Sequence, residues 1–185
     1  LLSGMRPDAA AQAWLHACAA EAPERAMQLH ENVLERVRAA GDLAMLSATL
    51  QPALNLAREH ALATGEPQWD DAVCRLGAAL GEAMLEQEQT GAAHALLAEL
   101  LAFVGVESGG REAMQRVLLG TLIKRNKLDE ARTLLGRLRK RPRVSGVART
   151  RAARGEASET GLLILEARLR VAEGATEAAV DAYRR

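Results

Sequence analysis

The chain reads as all-α, and three observations carry that reading. Apolar residues make up 49% of it, yet aromatics only 2%: Trp14, Trp69, Phe103 and Tyr183. The core must therefore be built from Ala and Leu, which are strong helix formers and suit helices packed at short range. β-Branched and aromatic runs of strand length are nearly absent. Between regularly placed Gly, Pro and Asn residues, apolar side chains recur at i, i+3, i+4 and i+7, the period of an amphipathic helix. At 185 residues the chain is long enough for one domain or one continuous stack of repeats.

The elements follow from that punctuation. Pro7 opens a helix over 8–21 and Pro23 a second over 24–39, closed by Gly41. A third runs over 43–64 to Gly65; Pro52 either kinks it or starts a second short helix. Pro67 leads into 68–88, with Asp70 and Asp71 in the first turn, where carboxylates complement the helix dipole. Gly91 separates it from 92–104, for which Thr90 is the expected N-cap. Gly105, Gly109 and Gly110 form a helix stop and loop before 111–125 rather than a phosphate cradle. A tight turn at Asn126-Lys127 leads into 128–140, whose first turn carries Asp129 and Glu130. Residues 141–157 read as a basic loop, followed by helices 158–173 and 176–185 with Ser158 and Thr176 as N-caps and Gly174 in the turn.

Two segments of this series superpose at one constant offset. Leu80, Gly81, Met84, Ala93, Leu97 and Leu100 fall on Leu118, Leu119, Leu122, Ala131, Leu135 and Leu138. A third unit has Leu163, Ala167, Gly174, Ala179 and Tyr183, with Ala167 and Ala179 where helices approach closely. It departs from the pattern at Glu166, where a large apolar residue is expected. The Gly41 region is a weaker fourth unit, with Leu34 and Leu46 in place of the small residues.

The hairpin LLGTLIKRNKLDEARTLLGRL and its partner ALGEAMLEQEQTGAAHALLAELL resemble tetratricopeptide (TPR) repeats, with spacing longer than the regular ~34 residues. Lengthened, irregular units of this texture are similar to the helical sensor domains of MalT-like bacterial transcription regulators, and also to TPR scaffolds or chaperones of secretion and envelope assembly. The resemblance implies antiparallel hairpins stacked as a right-handed α-solenoid over 1–185. Recognisable repeats would cover 75–185 and divergent or capping helices 1–70. It implies a concave groove lined by the first helix of each pair, with Arg75, Glu82 and Glu86, then Arg116 and Lys124, then Arg168 facing it. It also implies a protein or peptide partner in that groove, or a small-molecule inducer. A carboxylate clamp would place an Asn one turn after the cation, but Gly120 follows Arg116.

Other chemistries find little support. His16, His30, His60 and His94 are scattered, and Cys18 and Cys74 have no zinc-ligand spacing. No HExxH, GxGxxG, Walker-type loop or GxSxG is present. The chain therefore reads as non-catalytic, needing no metal or cofactor. Two buried thiols suit a reducing, cytoplasmic setting, no run of 18 apolar residues is present, and the first residues lack signal-peptide character. The chain reads as a piece of a longer protein. Arg outnumbers Lys 21 to 3, which suggests a GC-rich bacterial gene.

Charge is zero overall but segregated. Residues 1–110 carry 15 acids and 6 bases, and residues 111–185 carry 9 acids and 18 bases. Halves of −9 and +9 predict salt-sensitive self-association. Within the basic half, Arg137, Arg139, Lys140, Arg141, Arg143, Arg149, Arg151 and Arg154 follow one another with no acid between them. That run over 137–154 is a candidate phosphate-binding patch. It lacks interleaved aromatics for base stacking, which ranks a solvated loop or protein contact above nucleic acid.

Overall fold

The computed structural model describes residues 33, 35, 39–105, 110–140 and 150–183, with backbone only at 150–159 and 183. Among the described residues the regular structure is helical, with no strand. Seven helices have defined bounds: α1 (Leu43–Thr64), α2 (Pro67–Glu86), α3 (Thr90–Phe103), α4 (Arg111–Lys124), α5 (Leu128–Lys140), α6 (Thr150–Ala172) and α7 (Thr176–Tyr183). The chain divides into two compact units, Leu1–Val117 and Leu118–Arg185, and the boundary falls inside α4. The helix expected over 8–21 lies outside the described residues. Of that expected over 24–39, residues 33, 35 and 39 are described, and they are helical.

In the first unit, Asp42 caps α1 by accepting the Met45 amide at 2.8 Å, and Gly65 ends it in the left-handed conformation. Pro52 neither splits nor ends this helix. The carbonyl it deprives of a donor belongs to Ala48, and both residues are exposed, so water can serve that carbonyl. Leu46, Leu50, Ala53, Leu54, Ala57 and Ala61 form the buried stripe of α1.

The second helix, α2, begins with Pro67 and runs antiparallel to α1. At one end of the pair Gln87 donates to the Leu43 carbonyl (2.7 Å) and the Ser47 hydroxyl (3.0 Å). At the other end His60 stacks on Trp69 with ring centroids 4.9 Å apart. It is the central helix of the unit, packed on both α1 and α3 and buried over most of its circumference. Its approach to α3 is made possible by glycine. A Cβ on Gly77 would overlap Leu100 Cδ1 and meet Met114 Sδ at 3.2 Å, and one on Gly81 would meet Leu97 at 3.1 Å. From α1, Arg58 reaches across to pair with Glu99 at 2.7 Å and to lie over the Phe103 ring of α3, 5.4 Å from its centroid.

The second unit has its own core. Leu119 and Leu122 of α4, Ala131, Leu135 and Leu138 of α5, and Leu169 of α6 form one buried cluster. Leu118, Ile123, Leu128, Leu134, Leu162 and Leu165 pack around it. The apolar positions that align the two segments in sequence are thus mostly core positions: Ala93, Leu97, Leu100, Leu119 and Ala131 are fully buried, and Leu122, Leu135 and Leu138 nearly so.

Three connections are built alike. After α2, α4 and α6 a residue with positive φ follows: Glu88 (61°), Asn126 (57°) and Gly174 (78°). Each donates its amide to a carbonyl three residues back: Glu88 to Leu85, Asn126 to Ile123, Gly174 to Val171. The next residue donates five back: Gln89 to Met84, Lys127 to Leu122, Ala175 to Arg170. That pair of bonds is the Schellman termination. The carbonyls of Gln89, Lys127 and Ala175 then accept the first bonds of the following helices, from Ala93, Ala131 and Ala179 at 3.0 Å. Those three alanines are fully or almost fully buried. One three-residue link therefore ends a helix, starts the next and sets a small side chain into the contact.

Several expectations need correction. Gly91 is not the turn residue; it lies inside α3, and Glu88 takes the left-handed conformation. Thr90 is the first residue of α3 rather than its cap, which is Gln89; its side chain makes no capping bond and donates instead to Gln87. Ser158 lies within α6, which starts at Thr150, so the basic segment expected as a loop over 141–157 is helical from Thr150 onward. Thr176 is likewise the first residue of α7.

Three substitutions test the turn and the close contact. Replacing Glu88 with Gly removes the left-handed penalty of an L-residue, partly offset by chain entropy, and should stabilise the protein by up to about 1 kcal/mol, while Glu88→Val should destabilise it. Gly77→Val should destabilise by about 1–3 kcal/mol through overpacking against Leu100. Urea unfolding followed by circular dichroism reads all three.

Candidate functional site

The residues expected to face a groove are exposed on α2 as one stripe. Between the first turn and the end of this helix, Arg75, Glu82 and Glu86 are its exposed residues. Their spacing of seven and four keeps them on one line. Ala78 and Ala79, buried and small, form the floor between Arg75 and Glu82. The stripe thus presents a cation and two carboxylates above a shallow apolar base.

Of the remaining groove candidates, Arg116 is half-buried in the first unit and pairs with Glu112 one turn earlier on α4. Lys124 and Arg168, both exposed, belong to the second unit. The structure thus gathers Arg75, Glu82 and Glu86 on one helix and places Arg116, Lys124 and Arg168 on other elements.

The basic run is interrupted by a carboxylate from elsewhere in the chain. Arg137, Arg139 and Lys140 are exposed in the last turns of α5, where cations complement the helix dipole. Arg139 pairs with Glu166 of α6. Arg141, Arg143 and Arg149 lie outside the described residues; Arg151 and Arg154 fall on the α6 backbone without described side chains. A second bridge, Arg132 to Glu173 at 2.6 Å, lies two turns from the first. Seven residues forward on α5, from Arg132 to Arg139, correspond to seven backward, from Glu173 to Glu166. This is the register of antiparallel helices, with rungs about 10 Å apart. The hydrogen bond and the charge of Glu173 both raise the Arg132 guanidinium above its ordinary pKa.

Glu166 is therefore no random break in the apolar pattern. It is buried, with its side chain 8% exposed, and its charge is met by Arg139. The sequence signal was available: two arginines and two glutamates, each pair seven apart, on consecutive antiparallel helices.

The other candidate groups are taken up in packing. Asp70 and Asp71 accept the Gly105 and Gly110 amides at 3.3 Å each, tying both ends of the α3–α4 connection to α2. Asp129 and Glu130 pair with Arg132 and Lys127. Cys74 is fully buried, whereas Cys18, His16 and His30 lie outside the described residues. Among the described residues no group of three or more His, Cys, Asp or Glu side chains could hold a metal ion, and no helix is long and apolar enough to cross a membrane.

Removing one partner of the buried bridge differs from replacing the charge. Arg139→Ala strands the Glu166 carboxylate and should destabilise by about 1–3 kcal/mol. Glu166→Leu leaves Arg139 solvated and fills the site with hydrocarbon, so it should lie within about 1 kcal/mol of the parent. Denaturant midpoints of the two variants compare them directly. No family model, curated protein or solved structure matches this chain.

Proposed function

We propose that the chain is a non-catalytic, TPR-like helical-repeat module, its hairpins stacked as a right-handed α-solenoid, that binds a protein or peptide along the first helices of its pairs. The observation that carries this reading is the threefold recurrence of one connection, at Glu88, Asn126 and Gly174, each followed by a buried alanine. Units that repeat their turn and their close contact cannot each bury a full core alone, and stacking is the usual solution. These turns are spaced more widely and less evenly than the regular ~34 residues of a TPR. That spacing suits the irregular repeats of regulator sensor domains, and we place the module in a bacterial transcription regulator.

The exposed stripe of α2 supports a recognition role. A cation and two carboxylates along one line give a peptide points of attachment and a direction. Within a regulator, such a surface acts by favouring whichever conformation its ligand binds more tightly; a small-molecule inducer could work in the same way.

Two measurements test the reading. A compact globule of 185 residues has a radius of gyration of about 16 Å. Small-angle scattering should give a clearly larger value and an elongated profile; a radius no larger than that of the globule contradicts the solenoid. Selection of random peptides on the whole chain should enrich ligands whose binding is lost in an Arg75→Glu, Glu82→Lys or Arg168→Glu variant. Enrichment of none contradicts the interaction module.

A further inference from the structure

The α6 helix departs from a plain amphipathic pattern on both of its faces. Its inner face buries a carboxylate, Glu166, while its outer face exposes Ile164 (36%) and Val171 (55%). Among the described residues four large apolar side chains are exposed, and three of them, Ile164, Val171 and Val180, belong to the α6–α7 pair. Arg168 stands between Ile164 and Val171, four residues after one and three before the other. The three side chains therefore share an arc of about 60°, opposite Glu166 and Leu169.

Arg168 also differs from its neighbours. Arg132, Arg139 and Arg170 are each paired with a glutamate of the same unit. Arg168 is exposed and makes no ion pair among the described residues. A face needing only water would carry polar side chains at 164 and 171. An arginine bracketed by apolar groups suits a carboxylate that arrives with apolar neighbours, because covering the pair removes the solvent that screens it. The positive charge of residues 111–185 resides in 111–154, whereas 155–185 carry six acids and four bases, so attraction of a carboxylate to this face rests on Arg168 itself.

We propose that the outer face of α6, formed by Ile164, Arg168 and Val171, docks an acidic amphipathic helix of a partner protein. Two apolar side chains of that helix seat against Ile164 and Val171, and a carboxylate between them pairs with Arg168. This rests on the interaction-module reading and names the chemistry of one partner.

The test uses the whole chain and a fluorescein-labelled, alanine-based 18-residue helical peptide with Leu at i and i+7 and Glu at i+3. One control has Lys at i+3 and another has Ser in place of both Leu residues. By fluorescence anisotropy the Leu–Glu–Leu probe should bind at least about tenfold more tightly than either control. Arg168→Glu should reverse the preference to the Lys probe. Val171→Ser, at the more exposed position, should weaken binding with little change in the thermal melt, and Ile164→Ser should weaken binding while circular dichroism shows the helices retained. Equal binding of the Glu and Lys probes, no binding of the Leu–Glu–Leu probe, or indifference to these substitutions overturns the proposal. So does light scattering that shows a dimer of the parent chain becoming a monomer with Ile164→Ser and Val171→Ser, which would give the face to a second copy. Failure of the designed probe leaves the interaction-module reading standing if the random selection still enriches peptides that map to Arg75 and Glu82.

Discussion

A core built from Leu and Ala with few aromatic rings is thin, so the helix backbones must come close together for it to be filled. Everything else in the structure depends on how that closeness is secured. Between α2 and α3 it is secured by Gly77 and Gly81, against which Leu100 and Leu97 pack with no room for a Cβ at Gly77. After each of the three similar turns it is secured by an alanine whose amide makes the first bond of the new helix. The Schellman bonds fix where one helix ends, and the residue that completes them begins the next. The small residue thus always arrives one turn into the second helix, where the pair is tightest.

Electrostatics complements that packing where the connection is longer. The α5–α6 pair is not joined by such a three-residue link; residues 141–149 intervene. Its register is marked by Arg132–Glu173 and Arg139–Glu166, two turns apart. Because Glu166 occupies the inner face, α6 turns Ile164, Arg168 and Val171 outward. An inward acid and outward hydrocarbon on one helix break the local amphipathic rule in both directions. Local rules yield in this way where a second requirement, such as recognition, competes with folding. The mixed charge-and-alanine stripe of α2 and the apolar face of α6 are the surfaces from which the proposed module would work.

Much of the helical framework is legible in the sequence because it rests on periodicity and small residues. Ala93, Ala131, Ala167 and Ala179 are expected at close contacts, and all four are buried. Asn126 and Gly174 announce their turns by residue type. The equivalent turn after α2 points falsely to Gly91, because Glu88 gives no local signal for positive φ; only its alignment with Asn126 in the repeat reveals it. The Arg-rich sequence around Gly155 looks like loop and suggests a helix start at Ser158, whereas α6 extends back to Thr150. The basic run looks unopposed because Glu166 lies far beyond Arg139 in sequence and meets it only through antiparallel packing. The exposed groups on α2 can be named from the repeat resemblance. The outward apolar face of α6 cannot, because burial of Ile164 or Val171 is the default expectation from composition alone.

The central claim is that one hydrogen-bonded link, used three times, holds successive helices at close range. Amide hydrogen exchange at Gln89, Lys127 and Ala175 addresses it most directly, because these residues lie outside the helices and would exchange quickly if the links were ordinary open turns. The account predicts that all three amides are protected to a similar degree, through their bonds to Met84, Leu122 and Arg170. Exchange at the rates of an unstructured peptide at any of the three would contradict it.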